Sequence, residues 1–441
     1  MTTHDPSEYI RGIQQILISD KKKIGFLFGA GSSLAMKNGT SLTVPAIGKM
    51  TSEIVEEIGK VDTKYKTALK DIKEELGERN FNIETILSNL EQKVSFIGKS
   101  VLNSLNKNEF ADLIKRIKKE VREKVSVHNM TLCDIALKKE FKQIVTKDIV
   151  SELVQTDFAN WIGQAERRYP IEVFTTNYDF LFELGLEYKE IPYYDGFCGS
   201  LRAFFNPESV EDFSFLSNQT KLWKIHGSLG WHYDKDTEKI LRVNPDDDDI
   251  LIYPSTLKYK ESKKQPYESL MDRLSNFLKQ DDAILITCGY SWGDEHINSR
   301  IISALKTNTT SHVIGLIFDK YDKIDEKSNV SKIGLDNPKV SIYASSSAVI
   351  GCNYGDWKLK SEPSTDDTVN LNLYFDEDGA IDLSEEIKKE TKGEEVWTGK
   401  GEFILPDFGK LVKFLNSMVS DNEIKRLGDK LKKKFAENVK K

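Results

Sequence analysis

The chain has 441 residues, 39% of them hydrophobic and 30% charged, which is enough apolar material for a large core and at least one accessory domain. Its 70 acidic and 63 basic side chains leave a formal charge of −7, which excludes a global field that would draw in nucleic acid or an anionic membrane. The opening MTTHDPSEYI lacks the pattern of a secretory leader and no run nears the roughly 20 apolar residues of a spanning helix, so a cytoplasmic protein without membrane or direct nucleic-acid contact is expected.

The first predicted element is IGFLF at 24–28, a buried strand that stops at Gly29-Ala30-Gly31 and runs through Ser32 and Ser33 toward Pro45. Glycines there permit positive φ and close backbone approach, and a helix starting at the turn would offer free N–H groups and a positive dipole end to a phosphate. Leu34 replaces the third glycine of a G-x-G-x-x-G fingerprint and no second strand ending in an acid follows, which disfavours a nicotinamide dehydrogenase. On these residues alone, a tight strand-to-helix turn explains the glycines as well as a nucleotide does.

From 47 to 167 the pattern is almost wholly helical and predicts an insertion. DTKYKTALKDIKEEL opens on an N-cap at Asp62, and NIETILSNLEQKVSFI spaces apolar residues three and four apart. The sheet domain begun by residues 1–46 then resumes over 168–355. Apolar runs return there as IEVFTT at 171, KLWKI at 221, AILITC at 283, HVIGLIF at 312 and KVSIYA at 339, several separated by helical patterns. Such alternation predicts the α/β class, with a mostly parallel sheet covered by helices on both faces. Residues 356–441 read as a small α+β appendage. NLNLYFDEDG and EVWTGKGEFIL are its two short strands, and FGKLVKFLNSM and NEIKRLGDKLKKKF its helices.

Most of the strand runs lead into a small or polar cluster: GAGSS, NYD, HGS, GYS and Asp319. Ligands of parallel sheets bind beyond the carboxyl ends of strands, so all five clusters are expected to line one crevice. Asn177 and Asp179, at i and i+2, could offer an amide and a carboxylate to one ligand, although each taken alone is more readily a turn or cap residue. His226, followed by Gly227, stands where a proton acceptor at a crevice mouth belongs. His232 and His296 read as surface or supporting residues and His312 as the start of a strand. Gly289, Tyr290 and Ser291 form a second close-approach turn, with Asp294 as the cap of the helix after it. PDDDDI at 245–250 lacks calcium-loop spacing and reads as a solvated charge run, as does the basic helix face from Lys425. Cys133, Cys198, Cys288 and Cys352 form no C-x-x-C pair, which argues for free thiols.

Taken in order, GAGSS, Pro45, TTNYD, IHGS and CGYS resemble the NAD-binding core of the sirtuins, above all the divergent sirtuin-like (Sir-two family) domains of bacterial antiphage defence proteins. The resemblance implies a Rossmann-like sheet with NAD as substrate. It implies that Gly29, Ala30, Gly31 and Ser32 hold the pyrophosphate, that Asn177 contacts the nicotinamide ribose and positions a water, and that Asp179 holds the carboxamide. It makes His226 the base toward a ribose hydroxyl and lays Gly289 and Ser291 along the adenosine half. Sirtuin deacylases usually carry a zinc module with two C-x-x-C pairs; none exists here and no histidine pair has ligand spacing, so no zinc is expected. GTSLTVPAIG is a reduced form of the family's GIPDFR-like segment. The implied activity is hydrolysis of NAD to nicotinamide and ADP-ribose, serving antiphage defence by NAD depletion. The alternatives are an NAD-dependent deacylase or ADP-ribosyltransferase, or a non-catalytic nucleotide-sensing module. The implied assembly is a homo-oligomer, with a HerA-type DNA-translocating ATPase as the family precedent for a partner.

Overall fold

A computed structural model describes residues 2–37, 43–126, 147–234, 236–243, 265–320, 323–364, 367, 369–377 and 397–419. Cys133, the PDDDDI run and the basic run from Lys425 lie outside the described residues. The main sheet is ordered Thr3–His4, Asn353–Trp357, Ser347–Ile350, Val340–Ala344, His312–Ile317, Ala283–Cys288, Lys23–Phe28, Glu172–Thr175, Thr220–Lys224, Tyr193–Tyr194. All pairings from Val340–Ala344 to Tyr193–Tyr194 are parallel. Within that run, Lys23–Phe28 is central, Glu172–Thr175 and Thr220–Lys224 follow on one side, and Ala283–Cys288, His312–Ile317 and Val340–Ala344 on the other. This is the Rossmann order, and its switch point lies between Lys23–Phe28 and Ala283–Cys288.

Each apolar run predicted as a sheet strand is one. Both faces of these strands are covered, so nearly every side chain must be apolar. Phe26 and Phe28 point to one face, where they pack with Phe158, Trp161, Phe182 and Phe408. Leu27 points to the other and joins a core with Phe277, Leu285 and Ile301. Each buried phenylalanine contributes about 1.5–3 kcal/mol, so the strand leading to the glycine turn is anchored on both sides. Ser347–Ile350 and Asn353–Trp357 add antiparallel strands that sequence periodicity does not announce; they turn on Gly351 and Cys352, whose φ values are +57° and +62°.

A third core belongs to the helices Ile47–Val61, Thr63–Leu76, Ile83–Phe96 and Lys107–Val125. Asp62 caps Thr63–Leu76 as expected, accepting from the Lys64 N–H at 2.8 Å. Leu181, Leu184 and Leu229 of the sheet domain also enter this helical core, so the insertion sits against the loops that follow Glu172–Thr175 and Thr220–Lys224. The helix Val154–Gln164 packs instead with Phe26 and Phe28. Toward the C-terminus, Phe375–Asp376 pairs antiparallel with Glu402–Phe403 and the helix Phe408–Ser417 joins the first core. Among the described residues no helix is long and apolar enough to cross a membrane.

Candidate active site at the switch point

The two glycine turns flanking the switch point are pressed together backbone to backbone. A Cβ on Gly29 would lie 2.5 Å from the Gly289 carbonyl oxygen, one on Gly31 2.6 Å from the Gly289 Cα, and one on Gly289 2.5 Å from the Ser32 nitrogen. The Gly31 N–H donates to the Gly289 carbonyl at 3.0 Å. Close approach is therefore what Gly29 and Gly31 serve; among the three, only Gly289 has positive φ, at +65°. The helix after the first turn, Ala30–Ser33, is a single turn, so the phosphate-attracting macrodipole expected there does not develop, because peptide dipoles sum only along a longer helix.

Asn177 fastens this turn to the next strand. Its Nδ2 lies 3.0 Å from the Gly29 carbonyl, 3.0 Å from Ser32 Oγ and 2.7 Å from Ser33 Oγ, three acceptors sharing two hydrogens. Its Oδ1 has no hydrogen-bond partner among the described residues. Asp179 commits both oxygens, Oδ2 to the Ser33 hydroxyl at 2.6 Å and Oδ1 to the Leu181 N–H at 3.0 Å. Gln155 Nε2 donates to the Ser32 carbonyl at 2.8 Å. The buried Lys224 ammonium donates to the Asp179 carbonyl and, at 2.8 Å, to Glu183 Oε1. Burial pushes the Glu183 pKa up against the opposing pull of Lys224.

His226 follows the outermost of four adjacent strand ends and reaches the loop after the strand at the other side of that group. Its Nε2 lies 3.1 Å from Asp294 Oδ2, the two side chains being 15% and 23% exposed. Neighbouring strands are about 4.8 Å apart, so this contact spans the carboxyl ends of Lys23–Phe28 and Glu172–Thr175. Asp294 does cap the helix Glu295–Thr307, as its sequence position suggests: Oδ1 accepts from the His296 and Ile297 N–H groups at 2.9 and 3.1 Å. Its second oxygen carries the tie to His226, which sequence reasoning missed. Burial acts to raise the Asp294 pKa, but the bond and charge of His226 and the two backbone donors outweigh it, and the pKa is lowered.

The structure thus joins Gly29, Gly31, Ser32, Asn177 and Gly289 by direct contact, adds Asp179 through the Ser33 hydroxyl, and connects His226 to the same loop system through Asp294. Ala30 is exposed on the first turn. Ser291 is also exposed, and its hydroxyl accepts from the Gly293 N–H at 3.3 Å. The Asp319 carboxylate accepts from the Ser345 and Ile324 N–H groups, at the end of the neighbouring strand and in its own loop. Ser33, Gln155 and Lys224 escape the sequence reading. Ser33 lies within GAGSS and Lys224 within the run that leads into HGS, whereas Gln155 comes from a helical segment with no local sign of a site. No group of three His, Cys, Asp or Glu among the described residues could hold a metal ion.

A family model described as a SIR2-like domain matches residues 171–337. That span contains Asn177, Asp179, His226, Gly289, Ser291 and Asp294 and omits the first glycine turn, covering less than half of the chain. It supports the resemblance to sirtuin-like proteins, a generally NAD-dependent enzyme family. A search of the curated proteins finds no match.

Proposed function

We propose that the chain is an NAD glycohydrolase, cleaving the nicotinamide N-glycosidic bond to release nicotinamide and ADP-ribose. The observation that carries this reading is the convergence of four adjacent strand ends on one crevice holding an amide, an imidazole–carboxylate pair and two glycine turns at the switch point of a Rossmann-like sheet. The SIR2-like match, which ties that span to NAD chemistry, supports it.

In this reading NAD lies along the glycine turns, with Gly29, Ala30, Gly31 and Ser32 beside the pyrophosphate and Gly289 and Ser291 beside the adenosine half. Asn177, whose amide nitrogen is fixed by the turn, offers Oδ1 to a ribose hydroxyl or to the attacking water. The C1′–N bond breaks with its electron pair leaving on nicotinamide, which departs neutral, while the water oxygen bonds to C1′. His226 takes up a proton from the ribose or water, and Asp294 holds the ring and balances the imidazolium. Positioned proton transfer of this kind contributes about 10²–10⁴-fold. Asp179 keeps the Ser33 turn in register, and any hold it has on the carboxamide requires it to release one of its present donors.

We assign this activity to antiphage defence through NAD depletion, exerted by a homo-oligomer working with a HerA-type ATPase. The order of GAGSS, TTNYD, IHGS and CGYS supports the assignment, as does the insertion that rests on the site loops through Leu181, Leu184 and Leu229. Measuring nicotinamide release from NAD with and without an acyl-lysine peptide tests the reaction: release without peptide is expected, and strict dependence on the peptide would make the chain a deacylase instead. Sedimentation with parallel turnover assays tests the assembly, and a monomer at micromolar concentration that is fully active alone would overturn it.

A further inference from the structure

The strand Thr220–Lys224 ends on a lysine whose side chain is only 3% exposed. A buried ammonium must find acceptors for its hydrogens, and both of these acceptors lie on one neighbouring segment. Lys224 Nζ donates to the Asp179 backbone carbonyl and, at 2.8 Å, to Glu183 Oε1, and it lies 5.2 Å from the centroid of the Phe180 ring. The segments that follow Glu172–Thr175 and Thr220–Lys224 are joined on either side of that contact. The Ile225 N–H donates to the Thr175 carbonyl at 2.9 Å, the Leu229 N–H donates to the Tyr178 carbonyl at 3.1 Å, and a Cβ on Gly230 would sit 3.0 Å from the Phe180 ring. Asp179 meanwhile reaches the first glycine turn through the Ser33 hydroxyl at 2.6 Å. A chain of hydrogen bonds from Ser33 through Asp179 to Lys224 therefore runs from the first glycine turn to the strand that ends two residues before His226.

We propose that Lys224 is a positioning residue: its ammonium, aimed by Glu183, holds the Asp179 carbonyl and so sets Asn177 and Asp179 against His226; this rests on the NAD-hydrolase reading. Asn177 and Asp179 stand in the loop between a strand and the helix Leu181–Tyr188, where a peptide without a tether can turn and carry the Asn177 amide away from the imidazole. A misplacement of about 1 Å costs about 10²-fold in rate. Glu183 Oε2 is buried without a hydrogen-bond partner, so the carboxyl meets its one side-chain donor in Lys224.

Removing Lys224 alone would leave the Glu183 carboxyl buried and unpaired and so destabilise the chain for reasons unrelated to the site. The deciding variant is therefore the full-length double substitution Lys224→Met with Glu183→Leu, which puts apolar side chains of similar volume at both ends of the ion pair. It is compared with wild type and with Glu183→Gln in kcat and KM for NAD, melting temperature and amide hydrogen exchange. The double variant is expected to melt within about 5 °C of wild type and to lose kcat about 10- to 100-fold. KM should change less than about 3-fold, because the contact between the two glycine turns does not pass through Lys224. The amides of Leu181 and Leu229, bonded to Asp179 Oδ1 and the Tyr178 carbonyl, should exchange about 10-fold faster, and those of Ala283–Cys288 at the wild-type rate. Glu183→Gln keeps an oxygen for the ammonium and is expected to hold kcat to within about 2-fold. A double variant that unfolds, one whose kcat stays within about 2-fold of wild type, or a Glu183→Gln as slow as the double variant would each overturn the proposal. A wild-type chain that leaves NAD intact defeats the hydrolase reading by itself; exchange at Leu181 and Leu229 then still decides whether Lys224 holds the segment, and rates equal to wild type in the double variant would show that it does not.

Discussion

The two sides of the crevice are built on opposite plans. On the glycine side, Gly29, Gly31, Ser32, Ser33 and Gly289 are locked by backbone contacts of 2.5–2.6 Å to a would-be Cβ and by the Asn177 amide. On the histidine side, His226 and Asp294 meet through one part-exposed hydrogen bond, and that bond and the charge of His226 help to lower the Asp294 pKa. The contrast teaches that a site can divide rigidity from reactivity: in the reaction proposed above, the locked side would set where NAD lies and the imidazole–carboxylate side would handle the proton.

Substitutions that respect or violate this division measure it. The largest effect is expected from Gly289→Ala, which sets a Cβ 2.5 Å from the Ser32 nitrogen at a positive φ; it should destabilise by about 3 kcal/mol or more and read as a collapse of the denaturation midpoint. Asn177→Ala comes next. Its position in a loop suggests a harmless change to the fold, but the buried amide serves three acceptors, so about 1–3 kcal/mol should be lost along with NAD cleavage, as urea titration beside the turnover assay would show. His226→Ala is the counterpart on the other side: turnover should fall about 10²–10⁴-fold while stability moves by about 1 kcal/mol or less. A variant at 226 that unfolds, or one at 177 that loses only activity, would break the comparison.

The smallest effect sharpens it. Asparagine caps helices as well as aspartate, so Asp294→Asn removes only the charge facing His226. Because the Asp294 pKa is lowered in the folded protein, its ionic contribution is complete above the ordinary carboxylate range and disappears as pH falls through the folded value. Wild type should exceed Asp294→Asn by about 0.5–1 kcal/mol at neutral pH, and the gap should close in acid.

The legible parts of this chain were those whose physics is local or uniform. IGFLF, AILITC and HVIGLIF announce parallel strands because covered strands tolerate little but apolar side chains, and Asp62 announces a helix because a cap needs only its own next residues. At the site, Gln155 on its helix escapes notice, whereas the set Asn177, Asp179, His226 and Gly289 is visible at the small or polar ends of such strands. The partnerships are not: Gln155 reaches Ser32 across 123 positions and Lys224 reaches Asp179 across 45. Asp294 was seen as a cap because that bond is local, while its bond to His226, 68 positions away, has no sequence signature. The short strands Tyr193–Tyr194, Phe197–Cys198 and Phe204–Phe205 carry too few residues for any periodicity to register.

The double duty of Asp294 also supplies a spectroscopic window. One carboxylate accepts from the amides of His296 and Ile297 with one oxygen and from the imidazole side with the other. Any event that polarises the carboxylate, such as proton uptake by His226 or arrival of a cationic nicotinamide ring, must alter the acceptor strength felt by those two amides. Their nitrogen and proton resonances form a built-in indicator on an ordered helix, readable in an isotope-labelled sample without attaching a dye or altering a residue of the crevice.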